Sequence, residues 1–496
     1  MANAPRVELD GGRVSGTEDE GVLVFRGIPY ATADRFAPPA PAVVRGDLAA
    51  TAFGPIAPQA PGAQFQRPDL EQHEQCLSLN VWTPGTSPRE DGTARPVMVW
   101  IHGGAFRSGS SASPLYEGTP LARRGDVVVV SINYRLGALG FLAHPSLSPE
   151  GEPFGSWGLL DCVEALRWVA TNIRAFGGDP GNVTIFGESA GGAAVSLLCV
   201  MPVARGLFHK AIVQSGAPLA LDVAAAAALA EDLAGAVGAS DVPALRDVPL
   251  ADLLDAQARL EARVDRAFVP VIDGVTIPLA RPLKTLAQGS AAGVPLLIGT
   301  NVDEWKLWAA ADPHSRDLDE DRLRARLDAR FGADRAGDVI DALRAARADR
   351  GEPADAKDLF YAAESERTFR VPGLRMALAQ AGNAPTFAYL FEWGSPAMGG
   401  WLGACHGLEI AFVFGTQGRG ELAAFTGSGP EADALAEQMM DAWLAFAHTG
   451  DPSTATLRWP RYEAEARPTM VFGRSARVEP APRDEERAAV EAALFG

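Results

Sequence analysis

Val183 to Gly192 reads V-T-I-F-G-E-S-A-G-G, an apolar run entering the pentapeptide Gly187-Glu188-Ser189-Ala190-Gly191. This is the G-x-S-x-G pattern, which holds a serine on a tight strand-to-helix turn with its hydroxyl exposed. Glycines two residues to either side remove the Cβ atoms that would clash with strand and helix. The β-branched residues before the serine predict a strand, and Ala193 to Cys199 after it predicts a helix. A plain glycine-rich turn does not require that setting; a nucleophilic serine does.

Around this turn, about Pro96 to Ser215 alternates short apolar runs with helical stretches, as in a mostly parallel sheet covered by helices. The predicted strands are Val97 to Ile101, Val127 to Ile132, Val183 to Phe186 and Ala211 to Gln214, with Val294 to Gly299 and Thr386 to Phe391 following. Gly158 to Ala175 carries Leu159, Val163, Leu166, Val169 and Ile173 at helical spacing and predicts a crossover helix. Two Ala-, Leu-, Arg- and Asp-rich regions, about 223–263 and 317–350, read as helical excursions. No linker, repeat or low-complexity tract divides the 496 residues, so one folding unit is expected. The fold class is α/β, an α/β-hydrolase arrangement with helices on both faces of the sheet.

An enzyme that transfers acyl groups through Ser189 needs donors for the oxygen that becomes negative. Trp100-Ile101-His102-Gly103-Gly104-Ala105-Phe106 supplies a strand end followed by a small-residue loop of the H-G-G type, whose backbone N–H groups suit that task. In this fold the triad runs Ser, then acid, then His along the chain. Of seven histidines, His314, His406 and His448 follow Ser189. His406 lies in G-A-C-H-G-L-E-I, a glycine-flanked loop after a predicted strand, the setting expected for a catalytic loop. His314 reads as part of a polar loop and His448 as the end of a late helix. The acid is sought after Val294 to Gly299, where Asp303 and Glu304 stand side by side. Spacing does not choose between them.

The same residues resemble the type B carboxylesterases, a group that includes cholinesterases and bacterial para-nitrobenzyl esterases. The resemblance is nearly end to end and is carried by F-R-G-I-P-Y-A (Phe25 to Ala31), E-Q-C-L-S-L-N-V-W (Glu74 to Trp82) and N-Y-R-L-G-A-L-G-F-L (Asn133 to Leu142). It is carried further by the run from Trp168 to Thr184, by H-G-L-E-I-A-F-V-F-G (His406 to Gly415) and by F-A-H-T-G-D-P (Phe446 to Pro452). It implies Ser189 as nucleophile, His406 as base and Glu304 as acid. It implies oxyanion donors at Gly104, Ala105 and Ala190, and supporting roles for Glu188 and Ser215. The expected activity is ester hydrolysis through an acyl-enzyme. Rival expectations are a carbamate, amide or lactone as the bond cleaved, or a non-catalytic recognition protein.

Three departures from the family pattern stand out. The cysteine usually paired with the one matching Cys76 is replaced by Ala57, which leaves that loop unclosed. The loop from Ala57 to Gln75 carries Phe65 and no tryptophan, so no cation–π site for choline esters is expected. Glu74-Gln75 replaces an acidic pair, with a loosened ion pair as the expected consequence.

Composition bounds the rest. A net charge of −18 and a pI near 4.9 argue against a nucleic-acid partner. Absence of a leader-like start or a long apolar run predicts a cytoplasmic chain with no membrane partner. The four cysteines read as buried thiols, and neither they nor the histidines form a metal-ligand pattern, so no cofactor or metal is expected. A small-molecule ester is the expected partner, with the chain as a monomer or small homo-oligomer. Only Lys210, Lys284, Lys306 and Lys357 are lysines among abundant arginine and alanine, a bias expected of a GC-rich bacterial genome.

Overall fold

The computed structural model describes residues 4–60, 67, 69–264 and 266–496. An eleven-stranded sheet organises the molecule, in the spatial order Arg477–Pro480, Pro468–Phe472, Thr386–Phe391, Leu296–Asn301, Lys210–Gln214, Gly178–Glu188, Arg95–Ile101, Val128–Ile132, Ser78–Thr83, Val22–Pro29 and Thr17–Asp19. From Pro468–Phe472 to Val128–Ile132 the neighbours pair parallel; both flanks are antiparallel. Every residue of Arg95–Ile101, Val128–Ile132 and Lys210–Gln214 is buried, as a sheet covered on both faces requires.

Alternation along a strand sends side chains to two different cores. Val97, Val99, Ile101 and Ile185 join the core that includes Trp157, Val163, Leu166 and Val169 of the crossover helix Trp157–Asn172. Met98, Trp100 and Phe186 face the other way, against Met439, Trp443 and Phe446 of the helix Pro430–Thr449. The long continuous apolar runs of the sequence are therefore two half-runs, one for each layer.

The predicted central strands all form, Thr386–Phe391 with the expected bounds and the others with one or both ends shifted. The strand before the serine is longer than its apolar run, Gly178–Glu188, because an irregular pairing between Gly178 and Val183 extends it backwards. The helical excursions are helices Val223–Ala236 and Leu250–Glu261, and Glu320–Phe331 and Ala333–Asp349. The second pair builds a core of its own, in which Leu323, Leu327 and Leu343 meet Leu359 and Phe360 of Ala356–Ser365 and Val490 of the last helix. His314 falls in a short helix, Pro313–Arg316, rather than a loop. No described helix is long and apolar enough to cross a membrane.

Chemistry gathers at the C-terminal edge of the parallel strands, where such sheets open a crevice. Ser189 follows Gly178–Glu188 directly with φ 56° and ψ −122°, a strained conformation for a residue bearing a side chain. The close approach around it is extreme at Gly191: a Cβ there would sit 2.0 Å from Ile101 O and 2.8 Å from His102 O. Gly191→Ala should therefore cost about 3 kcal/mol or more and lower the melting temperature sharply. Gly235, within a helix and with nothing inside 4 Å of its missing Cβ, should instead gain about 0.5–1 kcal/mol on replacement by alanine. Thermal denaturation of the two variants checks both signs.

Candidate active site

Glu304 is fully buried, and its Oε2 lies 2.6 Å from His406 Nδ1. Its other oxygen accepts from Ser215 Oγ at 2.5 Å and from the Asn301 backbone N–H at 2.8 Å. Three groups thus hold one carboxylate in a single orientation. Ser215 comes from the end of the neighbouring strand Lys210–Gln214, itself at φ 46°, so two adjacent strand ends fix the carboxylate together.

Asp303 points elsewhere. Its Oδ2 accepts from Ala404 N at 3.0 Å, its backbone N–H donates to Ala404 O at 2.9 Å, and Lys306 Nζ lies 2.9 Å from Oδ1. One of the paired acids reaches the imidazole while the other pins the start of the loop that carries it. Spacing did not distinguish the two; their contacts do.

Glu188 Oε1 lies 2.9 Å from His406 Nε2, but off the direction of the ring N–H, so neither atom has a hydrogen-bond partner. Burial pushes the imidazole toward its neutral form, yet the charges of Glu188 and Glu304 outweigh it and hold the His406 pKa well above the ordinary value. Behind the pair lies a third carboxyl, Glu409, which accepts from Asn301 Nδ2 at 2.6 Å and Gln214 Nε2 at 3.2 Å. Burial, and then Glu188 and Glu304, push it up to about 8. Asn301 Nδ2 also donates to Cys405 O at 2.8 Å, which ties the acid's strand to the histidine's loop.

The H-G-G loop closes over the serine. A Cβ on Gly103 would come within 2.8 Å of Glu188 Oε2 and 3.1 Å of Ser189 Cβ. Gly104, Ala105 and Phe106 follow with φ of 113°, 55° and 60°, a run in the left-handed region. Arg107 N and Ser108 N both donate to Gly104 O at 3.0 Å and fix the turn. The N–H groups of Gly104, Ala105 and Ala190 meet no protein acceptor among the described residues. His102 stacks on Tyr134 at 4.5 Å and donates Nδ1–H to Gly103 O, a supporting part in the loop.

Two cavities of about 280 Å³ each open onto Ser189, and Ala105, Arg107, Ser189 and Trp308 border both. His406 and Glu188 border one of them; Ala190, Phe268 and Phe369 border the other. Trp308 and Phe369 each pack on the His406 ring at 4.7 Å and on each other at 5.4 Å. The described residues contain no group of three or more metal-ligating side chains.

Residues 3–490 match the family model described as the carboxylesterase family. The chain belongs to the carboxylesterase family. It is 39% identical to the para-nitrobenzyl esterase of Bacillus subtilis (strain 168), over 96% of either chain. It is 36% identical to the phenmedipham hydrolase of Pseudarthrobacter oxydans, over 95% of this chain and 96% of that one. A solved Geobacillus stearothermophilus carboxylesterase superposes with a TM-score of 0.87 at 38% identity, covering 98% of this chain and 99% of that one. As a member, the protein is a carboxylic ester hydrolase of the α/β-hydrolase fold.

Sequence reasoning missed Asn301, Gln214, Glu409, Trp308 and Phe369. The available signal was weak: Gln214 and Asn301 are polar residues closing apolar strands, K-A-I-V-Q and L-L-I-G-T-N. Two expectations concerned the family departures. Glu74 still pairs with Arg35 through two bonds of 2.6 Å, so the expected loosening is not seen, and Cys76 is buried and free. Phe65 lies outside the described residues.

His406 is held in its charged form to higher pH than an ordinary imidazole, and only its neutral form could take a proton. The kcat/KM of the esterase should therefore climb with pH above neutrality, through the raised His406 pKa. Glu188→Gln removes one of the two charges responsible and should move that limb to lower pH. Profiles of both proteins on one neutral ester check the direction, and an unmoved limb would remove Glu188 from the account.

Proposed function

We propose that the protein hydrolyses carboxylic esters through an acyl-enzyme on Ser189, with His406 as base, Glu304 as its orienting acid, and Gly104, Ala105 and Ala190 as oxyanion donors, all on one α/β-hydrolase domain. The observation that carries this reading is the buried His406 Nδ1–Glu304 pair at 2.6 Å, with Nε2 making no hydrogen bond at the cavity that Ser189 borders, 2.9 Å from Glu188 Oε1. Nδ1–H donated to Glu304 leaves Nε2 as the basic nitrogen, the tautomer the reaction needs.

Ser189 Oγ attacks the ester carbonyl carbon as its proton passes to His406 Nε2. The carbonyl oxygen becomes an alkoxide and accepts from the N–H groups of Gly104, Ala105 and Ala190, which meet no other acceptor among the described residues. Collapse breaks the bond to the alcohol oxygen, and that oxygen takes the proton from His406. Water then repeats the sequence, giving up a proton to His406 and releasing the acid and Ser189. Because the alcohol oxygen is protonated from His406, the alcohol occupies the cavity bordered by His406 and the acyl group the other. Two cavities of this size support a broad range of short to medium acyl chains and bulky or aryl alcohols, and no tryptophan stands in the Ala57 to Gln75 loop to favour choline esters.

Ser189→Ala should reduce p-nitrophenyl ester hydrolysis on the order of 10³-fold or more while the protein stays folded. A folded variant with half the wild-type rate would reassign the nucleophile. Glu304→Gln should lose activity on a similar scale. Asp303→Asn, which disturbs only the anchor at Ala404 and Lys306, should lose far less; rates of the two folded variants, compared directly, decide which carboxylate acts.

A further inference from the structure

The acyl-side cavity carries more positive charge than neutral esters require. Among the described residues Arg107, Arg266 and Arg367 border it together with one carboxylate, Glu261, and Arg266 is already engaged. Arg367 is held by Glu364 through Nε and Nη2 at 3.2 and 2.6 Å, but Glu364 also accepts from Arg330 at 3.1 Å, so one negative charge serves two guanidinium groups. Leaving Arg266 aside, three guanidinium groups, of Arg107, Arg330 and Arg367, stand against two carboxylates, Glu261 and Glu364, in a chain whose net charge is −18.

Arg107 is the arginine with capacity to spare. Its backbone N–H is fixed to Gly104 O at 3.0 Å, so its root is part of the turn beside Ser189. Its guanidinium makes no hydrogen bond and stands 4.0 Å from Glu261 Oε2, and its side chain is 52% exposed. Glu261 is itself occupied by Gln257 Nε2 at 2.9 Å. A planar fork with free donors, rooted beside the nucleophile and bordering both cavities, fits a carboxylate.

Resting on the acyl-enzyme reading above, we infer that the acyl cavity selects esters whose acyl chain ends in a carboxylate, half-esters of dicarboxylic acids, with Arg107 as the anchoring cation. The overall charge cannot produce such a preference, since a chain at −18 repels anions at long range. The preference is a local contact or it does not exist.

The test compares kcat/KM of the full chain on the monoethyl esters of succinic, glutaric, adipic and suberic acids with the same esters carrying a terminal carboxamide, following acid release. At the best-fitting length the carboxylate should be favoured on the order of tenfold at low salt, and less at high salt because the site is half exposed. Arg107→Gln should abolish the ratio. Glu261→Gln, which removes the competing carboxylate, should raise it, a change opposite in sign to that of general damage. Equal or greater turnover of the carboxamide at every length, or a ratio unmoved by Arg107→Gln, overturns the inference. p-Nitrophenyl butyrate separates the two readings: hydrolysis by the wild type and not by Ser189→Ala leaves the esterase mechanism standing whatever the half-esters do.

Discussion

The buried contact between Glu304 and His406 constrains the rest of the molecule. Placing a carboxylate at zero exposure is costly unless its lone pairs are filled. Here Ser215, Asn301 and the imidazole fill them, and each comes from a different place in the chain. Two adjacent parallel strands must therefore end at the same level, which their register provides by setting Gln214 beside Gly299. The histidine must also arrive from a loop about a hundred residues later. Asp303 and Asn301 secure it there by gripping Ala404 and the Cys405 carbonyl. Sheet register, loop anchoring and acid orientation are consequences of satisfying one buried charge.

A second layer of control comes from the inserted helices. Trp308 lies on the short helix Lys306–Ala311 just beyond Glu304, and Phe369 on a π-helical turn, Glu366–Arg370, inserted between Ala356–Ser365 and Val371–Ala381. Such wide turns are uncommon and concentrate at functional sites. Here it presents Phe369 to the His406 ring face, beside Trp308. Trp308 and Phe369 thus border a cavity beside Ser189 and limit where the imidazole can tilt.

Much of this was legible in the sequence, for a physical reason. Local rules govern the elbow: β-branched residues for the strand, glycines where Cβ atoms cannot fit, and a serine at the turn. The central strands announce themselves through unbroken apolar runs because the sheet is covered on both faces. The antiparallel flanks were harder, since short strands such as Thr17–Asp19 and Arg477–Pro480 are partly exposed and carry no such run. Asp303 and Glu304 were indistinguishable because spacing along a strand end says nothing of which carboxylate meets a loop so distant in sequence. Resemblance, not periodicity, named Glu304. Glu409 escaped notice because its importance lies in burial and in facing two other carboxyls, properties of the assembled site.

That third carboxyl bears on how the site tolerates its own charge. Glu188, Glu304 and Glu409 surround one imidazole, and three ionised carboxylates there would repel one another strongly at low local dielectric. Glu409 relieves the conflict by retaining its proton to about pH 8, which leaves two negative charges flanking the ring. Those two favour the charged imidazolium over the neutral ring. On the proposed mechanism the charged ring forms as Ser189 or water gives up its proton, and in the resting enzyme the same charges reduce the fraction of His406 ready to act as base. Transition-state stabilisation and resting-state readiness are therefore set by one electrostatic arrangement and cannot be improved independently by changing Glu188 alone.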